Sequence, residues 1–365
     1  MRRIALLLPL LVLVSACSSK PAPAPDITTS PAGQHPVFSS RPVQGNQSAQ
    51  AAGPLRGDFA GNPYAQRFIE RMVSVHGFDR RQLQDVLAQG QRLDWVIRLM
   101  DRQAPTTPAA PGPNGAWLRY KKKFVTPDNI RNGVAFWNQY EADLQRAARV
   151  YGVPPEIVVG IIGVETRWGR VMGKTRTLDA LATLAFAYPR RADFFAAELE
   201  QFLLLARKEG DDPLALRGSY SGAMGYGQFM PSSFAQYAVD FDGDGHIDLW
   251  NPRDAIGSVA NYFKQHGWLT GDLIAVPATG QAPTLDNGYD TLFPVTALSA
   301  AGLRPQGPLG NHKQAALLRL DMGRYYQYWY GLPNFYVITR YNHSTHYAMA
   351  VWQLGEAIDQ ARHGR

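Results

Sequence analysis

The chain of 365 residues has a single cysteine, Cys17, so no disulfide within the chain is available and the fold must be held by a packed core. Charge is sparse: only 18% of residues are Asp, Glu, Lys or Arg, with a formal balance of +7 to which Arg2 and Arg3 contribute two. A surface this modestly basic suits an anionic polymer or lipid headgroups. Long apolar runs are missing too. Residues 4–14 form a run well short of the ~20 needed to span a bilayer as a helix. There is no internal repeat. The one glycine-rich stretch, residues 219–231, lacks the Gly-Lys-Ser/Thr ending of a phosphate loop.

The N-terminus is a leader. Met1-Arg2-Arg3 precedes the apolar run, and Ser15-Ala16-Cys17 follows it, giving the basic, apolar, small-residue order of a secretory signal. Leu13-Val14-Ser15-Ala16-Cys17 looks like a lipoprotein box, which implies cleavage before Cys17 and acylation of it. Ser18, in place of aspartate, resembles the outer-membrane sorting pattern. The expected location is the periplasmic face of the outer membrane, which argues against nucleic acid as a partner. Residues 18–57 are rich in Pro, Ala, Ser, Gln and Gly and cannot bury enough surface to fold, so they read as a tether.

Helical periodicity begins near residue 62 and runs to 100, with a Pro-rich connection at 104–115. Thr126-Pro127 marks a helix start, and residues 129–151 read as one long amphipathic helix. Further helices are expected over 177–187, 191–208, 254–266 and 344–361. Between 271 and 340 glycine and proline become frequent, and residues 315–320 and 334–339 look like strands of a small β region.

Glu165 is the residue to which these elements lead. The eight residues before it, Ile157 to Val164, carry no polar side chain, and Pro154-Pro155-Glu156 starts them as a helix. A helix apolar on every face is buried. A carboxylate at its C-terminal end loses hydration and meets the negative end of the helix dipole, so the proton is retained. A carboxylic acid that is neutral near pH 7 is what a general acid must be. The competing reading is a structural ion pair with Arg167 or Arg170. No second carboxylate presents itself as nucleophile or base: Asp179, Glu198 and Glu200 lie on segments that read as ordinary helices.

A second motif is built for a hard cation. In Asp240-Phe241-Asp242-Gly243-Asp244-Gly245-His246-Ile247-Asp248, acids alternate and Gly245 allows the sharp turn, as in an EF-hand loop. His246 would offer its backbone carbonyl. Asn251 stands where the closing glutamate belongs, so Asp254 is the expected closing ligand of a longer loop, with Ca²⁺ in a structural role. In the glycine-rich stretch, Ser219 and Gln228 offer polar groups where small residues let a ligand approach backbone, although a tight turn packed on the core would look the same. Tyrosine and tryptophan are dense toward the C-terminus, most of them suited to core or interface. Arg340-Tyr341-Asn342-His343-Ser344 instead sets polar groups beside an aromatic at an expected strand-to-helix junction.

Taken together, Gly160-Ile161-Ile162-Gly163-Val164-Glu165-Thr166-Arg167-Trp168-Gly169, Gly222-Ala223-Met224-Gly225-Tyr226-Gly227-Gln228-Phe229-Met230-Pro231-Ser232, the Asp240 loop and Arg340-Tyr341-Asn342 resemble the membrane-bound lytic murein transglycosylase B family, glycoside hydrolase family 103, a branch of the lysozyme-like superfamily. The resemblance runs from about residue 60 to the C-terminus. It implies a mainly α (α+β) protein: a lysozyme-like helical core, an additional helical domain, a small antiparallel β region and the EF-hand-like loop. The expected division is 1–16 signal peptide, 17–57 lipidated tether and 58–365 catalytic region. Within the latter, about 58–140 would be the helical domain, 141–270 and 341–365 the core, and 271–340 the β region.

The resemblance further implies cleavage of the β-1,4 bond between N-acetylmuramic acid and N-acetylglucosamine in peptidoglycan, leaving a 1,6-anhydro end. Glu165 would be the acid and then the base. Ser219, Gln228 and Asn342 match binding positions, and Tyr120, Tyr262, Tyr341 and Tyr347 match aromatic positions of the groove. Arg190 and Arg191 resemble a basic pair for peptide-stem carboxylates. The implied partners are glycan strands, outer-membrane lipid through Cys17 and other cell-wall enzymes; Ca²⁺ is the only cofactor expected. Residue types alone leave open a hydrolytic muramidase or a calcium-stabilised binding lipoprotein without catalysis.

Overall fold

The computed structural model describes residues 53–103, 112–282 and 284–364. The expected signal peptide, Cys17 and nearly all of the tether lie outside them. Helix α1 (Pro63–His76) starts where Asn62 accepts the N–H groups of Tyr64 and Ala65, and it ends at Gly77 with φ 63°. Helices α2 (Arg80–Ala88), capped by Asp79, and α3 (Asp94–Gln103) follow. Helix α4 (Ala116–Lys121) has Gly115 at its N-cap and so no side-chain cap of its own. Helix α5 (Pro127–Gln139) is capped by Thr126, and α6 (Glu141–Tyr151) closes at Gly152. The expected single helix over 129–151 is thus broken at Tyr140. Phe136 and Trp137 of α5 and Leu144 and Ala147 of α6 are buried against different neighbours, which one straight helix could not serve.

Helix α7 (Pro155–Thr166) is buried from Ile157 to its end. A two-residue strand β1 (Thr175–Arg176) leads into α8 (Thr177–Ala187) and α9 (Ala192–Glu209), and β1 pairs with β2 (Arg217–Gly218). Helices α10 (Pro231–Tyr237) and α11 (Pro252–Gln265) flank the acidic loop. Strands β3 (Ala275–Thr279), β4 (Leu292–Pro294), β5 (Arg304–Pro305), β6 (Gln314–Asp321) and β7 (Tyr326–Gly331), with the short helix α12 (Val295–Ala300), form an antiparallel sheet in the order β4-β6-β7-β3-β5. The sheet carries its own small core, including Leu298, Leu303, Leu317 and Tyr330. Its entry and exit meet: the Leu332 N–H donates to the Ile274 carbonyl at 3.0 Å.

The segment 334–339, expected as a strand, is part of helix α13 (Pro333–Tyr341). Pro333 starts it, and Phe335, Val337 and Ile338 turn inward while Tyr336 stays exposed, a helical rather than a two-residue period. Residues 342–344 therefore join two helices, α13 and α14 (Thr345–Arg362), which Ser344 caps.

Helices α7 and α14 form the centre of the core. Their glycines set how closely they lie: a Cβ on Gly160 would come within 2.5 Å of the Val351 carbonyl oxygen, and one on Gly355 within 2.3 Å of the Glu156 carbonyl oxygen. Gly160→Ala is expected to lower stability by roughly 1–3 kcal/mol, as overpacking does, despite the better helix propensity of alanine. A thermal melt at or above the parent midpoint would refute this account of the crossing.

Candidate active site

Glu165 lies in the last turn of α7, 4% exposed. Neither Arg167 nor Arg170 forms an ion pair with it among the described residues, so the structural-pair reading does not hold. Arg167 instead ends the helix in the left-handed region at φ 51°, followed by Trp168 at φ 56°. The partner of Glu165 is Tyr347, from the first turn of α14, whose hydroxyl donates to Oε1 in a short hydrogen bond. Oε2 has no partner among the described residues. Burial pushes the carboxyl up to about 7, and the Tyr347 bond only partly offsets that rise. The acid is therefore substantially protonated near neutrality.

The three spare carboxylates are all committed elsewhere. Asp179 accepts the Gln91 N–H at 2.9 Å and pairs with Arg176 at 2.8 Å. Glu198 accepts the Ser232 N–H and hydroxyl at 2.9 and 2.7 Å. Glu200 holds Arg71 at 2.6 Å and His76 at 2.8 Å, clamping α1 to α9. No carboxylate contributes to the shift at Glu165, so the site has one acid.

The aromatic positions fall around that acid but differ in what they present. Tyr120, on α4, is half-buried and electrostatically coupled to Glu165. Tyr341 donates to the Gly227 carbonyl at 2.6 Å, tying α13 to the glycine-rich turn. Tyr262 donates to the Arg340 carbonyl at 2.6 Å and stacks on His266 at 3.9 Å. Both hydroxyls are engaged by backbone, so these rings form wall. Ser219 Oγ accepts the N–H groups of Ala223 and Ser221 and folds the turn. Gln228, at φ 52°, donates through Nε2 to Gly225 O and Met172 O at 2.9 and 3.3 Å. Asn342 has a buried Oδ1 with no hydrogen-bond partner among the described residues.

Arg190 and Arg191 do not form a matched pair. Arg190 is exposed, 4.0 Å from Asp101, whereas Arg191 lies over the rings of Phe194 and Phe195 at 4.2 and 5.1 Å. Three positioning groups were not apparent from the sequence. Thr166 Oγ1 donates to Tyr226 O at 3.0 Å and binds α7 to the glycine-rich turn. His346 rests against the rings of Trp117 and Tyr120, each at 5.6 Å. Asp321, at the end of β6, caps α4 by accepting the N–H groups of Asn114 at 2.7 Å and Gly115 at 2.8 Å. A threonine after the glutamate was the only local signal among them.

In the acidic loop, Asp240, Asp242 and Asp244 bring carboxylate oxygens within 4.8 Å of one another. Asp254 does not join this group. Its Oδ1 accepts the N–H groups of Phe241 and Asp242 at 2.8 and 3.1 Å, and its Oδ2 that of Asp248 at 2.9 Å. It braces both ends of the loop, and Oδ2, with one donor, keeps a lone pair. The His246 ring lies 3.8 Å from Glu209, and only the three aspartates make up the cluster of close ligand atoms. These hard oxygen donors are the kind that calcium takes.

A helical core with one buried, proton-retaining carboxylic acid under an aromatic wall defines a lysozyme-like enzyme acting on glycan. Residues 60–356 match the Transglycosylase SLT domain, and the chain belongs to that family. It is 67% identical over 371 residues to membrane-bound lytic murein transglycosylase B of Escherichia coli (strain K12), covering 99% of each chain. Structures of the Escherichia coli lytic transglycosylase Slt35 are similar to it. The complex with calcium is 71% identical with a TM-score of 0.81, and the complex with bulgecin A is 72% identical with a TM-score of 0.82; each covers 85% of this chain and 96% of that one. SltB3 of Pseudomonas aeruginosa, in complex with NAG-anhNAM-pentapeptide, is 31% identical with a TM-score of 0.71, over 82% of this chain and 80% of that one.

Proposed function

We propose that this chain is a peptidoglycan lytic transglycosylase that cleaves the β-1,4 bond between N-acetylmuramic acid and N-acetylglucosamine without water and leaves a 1,6-anhydro end. The single proton-retaining Glu165, with no carboxylate partner, carries the reading. Neutral Glu165 gives its proton to the glycosidic oxygen as the C1–O bond breaks. The resulting carboxylate, held by the Tyr347 hydroxyl, takes the proton of the C6 hydroxyl, and the C6 oxygen closes on C1. The proton returns to Glu165, so no net acid is consumed. The 2-acetamido group stabilises charge at C1, and the unpartnered Oδ1 of Asn342 is suited to accept its N–H. Ser219 and Gln228 bind from the glycine-rich turn, and Tyr120, Tyr262 and Tyr341 shape the groove. Arg190 and Arg191 serve peptide carboxylates, Arg190 being the more available of the two. The test is digestion of purified peptidoglycan by residues 58–365, with mass spectrometry of the products. Products one water lighter than muramidase products are expected; water-containing reducing ends would refute the reaction.

Asp240, Asp242, Asp244 and the His246 carbonyl would hold Ca²⁺, with Asp254 closing the loop through Oδ2. The ion would supply charge neutralisation and link α10 to α11. Calcium at a hundred times its Kd is expected to stabilise the fold by about 2.7 kcal/mol. A melting temperature indifferent to chelator would exclude the site. The domain division given above and the outer-membrane anchor at Cys17 belong to the same reading, supported by a relative named membrane-bound. In cell fractionation, Cys17→Ala is expected to move the protein from the membrane to the soluble fraction.

A further inference from the structure

A cleft of about 410 Å³ lies between α3, β1 and β2, lined in part by Trp95, Lys174, Arg176, Asp179 and Arg217. The ladder that builds it is electrostatically unfavourable. Arg176 and Arg217 are cross-strand partners, and Lys174 immediately precedes the strand. Like charges placed opposite each other destabilise a strand pair. Arg176 is compensated: it pairs with Asp179 at 2.8 Å and donates to the Gln89 carbonyl at 2.5 Å. The other two are not. Arg217 donates to the Lys174 backbone carbonyl at 3.2 Å, and neither cation meets a carboxylate among the described residues. Both are exposed, beside an indole that is 44% exposed.

The segments that line this cleft are joined directly to those around Glu165. The chain leaves α7 and reaches Lys174 within eight residues of Thr166. Gln228 donates to the Met172 carbonyl on that path. Gly173 lies so close to the opposite strand that a Cβ there would come within 2.0 Å of the Gly218 carbonyl oxygen, and Ser219 follows Gly218 directly. Lys174 is thus two residues from the Met172 carbonyl that Gln228 holds, and Arg217 two residues from Ser219.

We infer that the Lys174–Arg217 cleft binds carboxylates of the peptide arm of the glycan substrate, a second anchoring point distinct from Arg190 and Arg191. The inference rests on the transglycosylase reading. A neutral glycan has no use for two unpaired cations, whereas a carboxylate accepts both an ammonium and a guanidinium, and the indole offers a face for the arm's apolar part. A relative binds a fragment that carries such an arm.

The experiment compares kinetics on peptide-bearing glycan and on the same glycan stripped of peptide by an amidase. The enzymes are the parent, Lys174→Gln/Arg217→Gln, and Arg217→Glu. The expected result is a KM on peptide-bearing glycan about tenfold higher for the double variant and higher still for Arg217→Glu, with kcat unchanged. On stripped glycan all three should be equal. Unchanged KM on peptide-bearing glycan, or an equal loss on both substrates, overturns the inference while leaving the function standing. A parent that releases no anhydro product from either substrate overturns both.

Discussion

Glu165→Gln is expected to cut release of anhydro products by roughly 10²–10⁴-fold or more, because one side chain does both proton transfers. The protein should stay folded. It should even be more stable than the parent at alkaline pH, and the sign follows from where the proton sits. In the folded protein burial raises the Glu165 pKa from 4.5 to about 7. The parent's stability from this group is complete below pH 4.5 and is lost as pH rises through 7, where a buried charge must form. Glutamine carries no such liability, so the variant should gain on the parent by about 3 kcal/mol above that range and match it in acid. Parallel melts across pH, with digestion assays on the same samples, decide it. A variant that retains activity, or that is less stable than the parent at pH 8, removes Glu165 from its role.

Activity should likewise fall on the alkaline side as Glu165 loses its proton. Tyr347→Phe removes a donor that favours the carboxylate, so the alkaline limb should move to higher pH. A limb that stays in place would separate Tyr347 from the acid.

Asp321→Ala is the second large effect. Burial disfavours ionisation of this carboxyl, yet the N–H groups of Asn114, Gly323, Gly115 and Ala116 outweigh burial and bring it down to about 2. Removing it leaves the first turn of α4 without its cap, at a cost of roughly 2–4 kcal/mol. Because α4 carries Trp117 and Tyr120, activity should fall with stability, and Asp321→Asn should recover only part of each. The stabilisation from Asp321 is present above the unfolded value of 3.8 and is lost as pH falls toward 2. A melt of Asp321→Ala equal to the parent at pH 7 would show that the cap does not hold α4.

What the sequence made legible was local. Eight apolar residues ahead of Glu165 announce a buried helix, Thr126-Pro127 announces a helix start, and a helical pattern begins near residue 62; all of these appear in the structure. Nothing near Gly160 in the chain indicates that the Val351 carbonyl packs against it. Long-range pairings were illegible for the same reason. Nothing near residue 321 indicates that its carboxylate caps a helix some 200 residues earlier. The segment 334–339 misleads because Phe, Tyr, Val, Ile and Thr favour strands by type, while Pro333 and burial on one helical face decide for a helix. Asp254 was legible as part of the acidic loop, but its three backbone donors were not.

The position of α14 in the chain has a consequence for when this enzyme becomes dangerous. Tyr341, Asn342 and Tyr347 are contributed by the last stretch of the sequence, and α14 is the helix that completes the burial of α7. Before that stretch docks, the Glu165 carboxyl sits in water, ionises at its ordinary pKa and has no proton to give at neutral pH. A chain cut before residue 340 is thus expected to be catalytically silent. Cell-wall cutting is switched on only by the last fold.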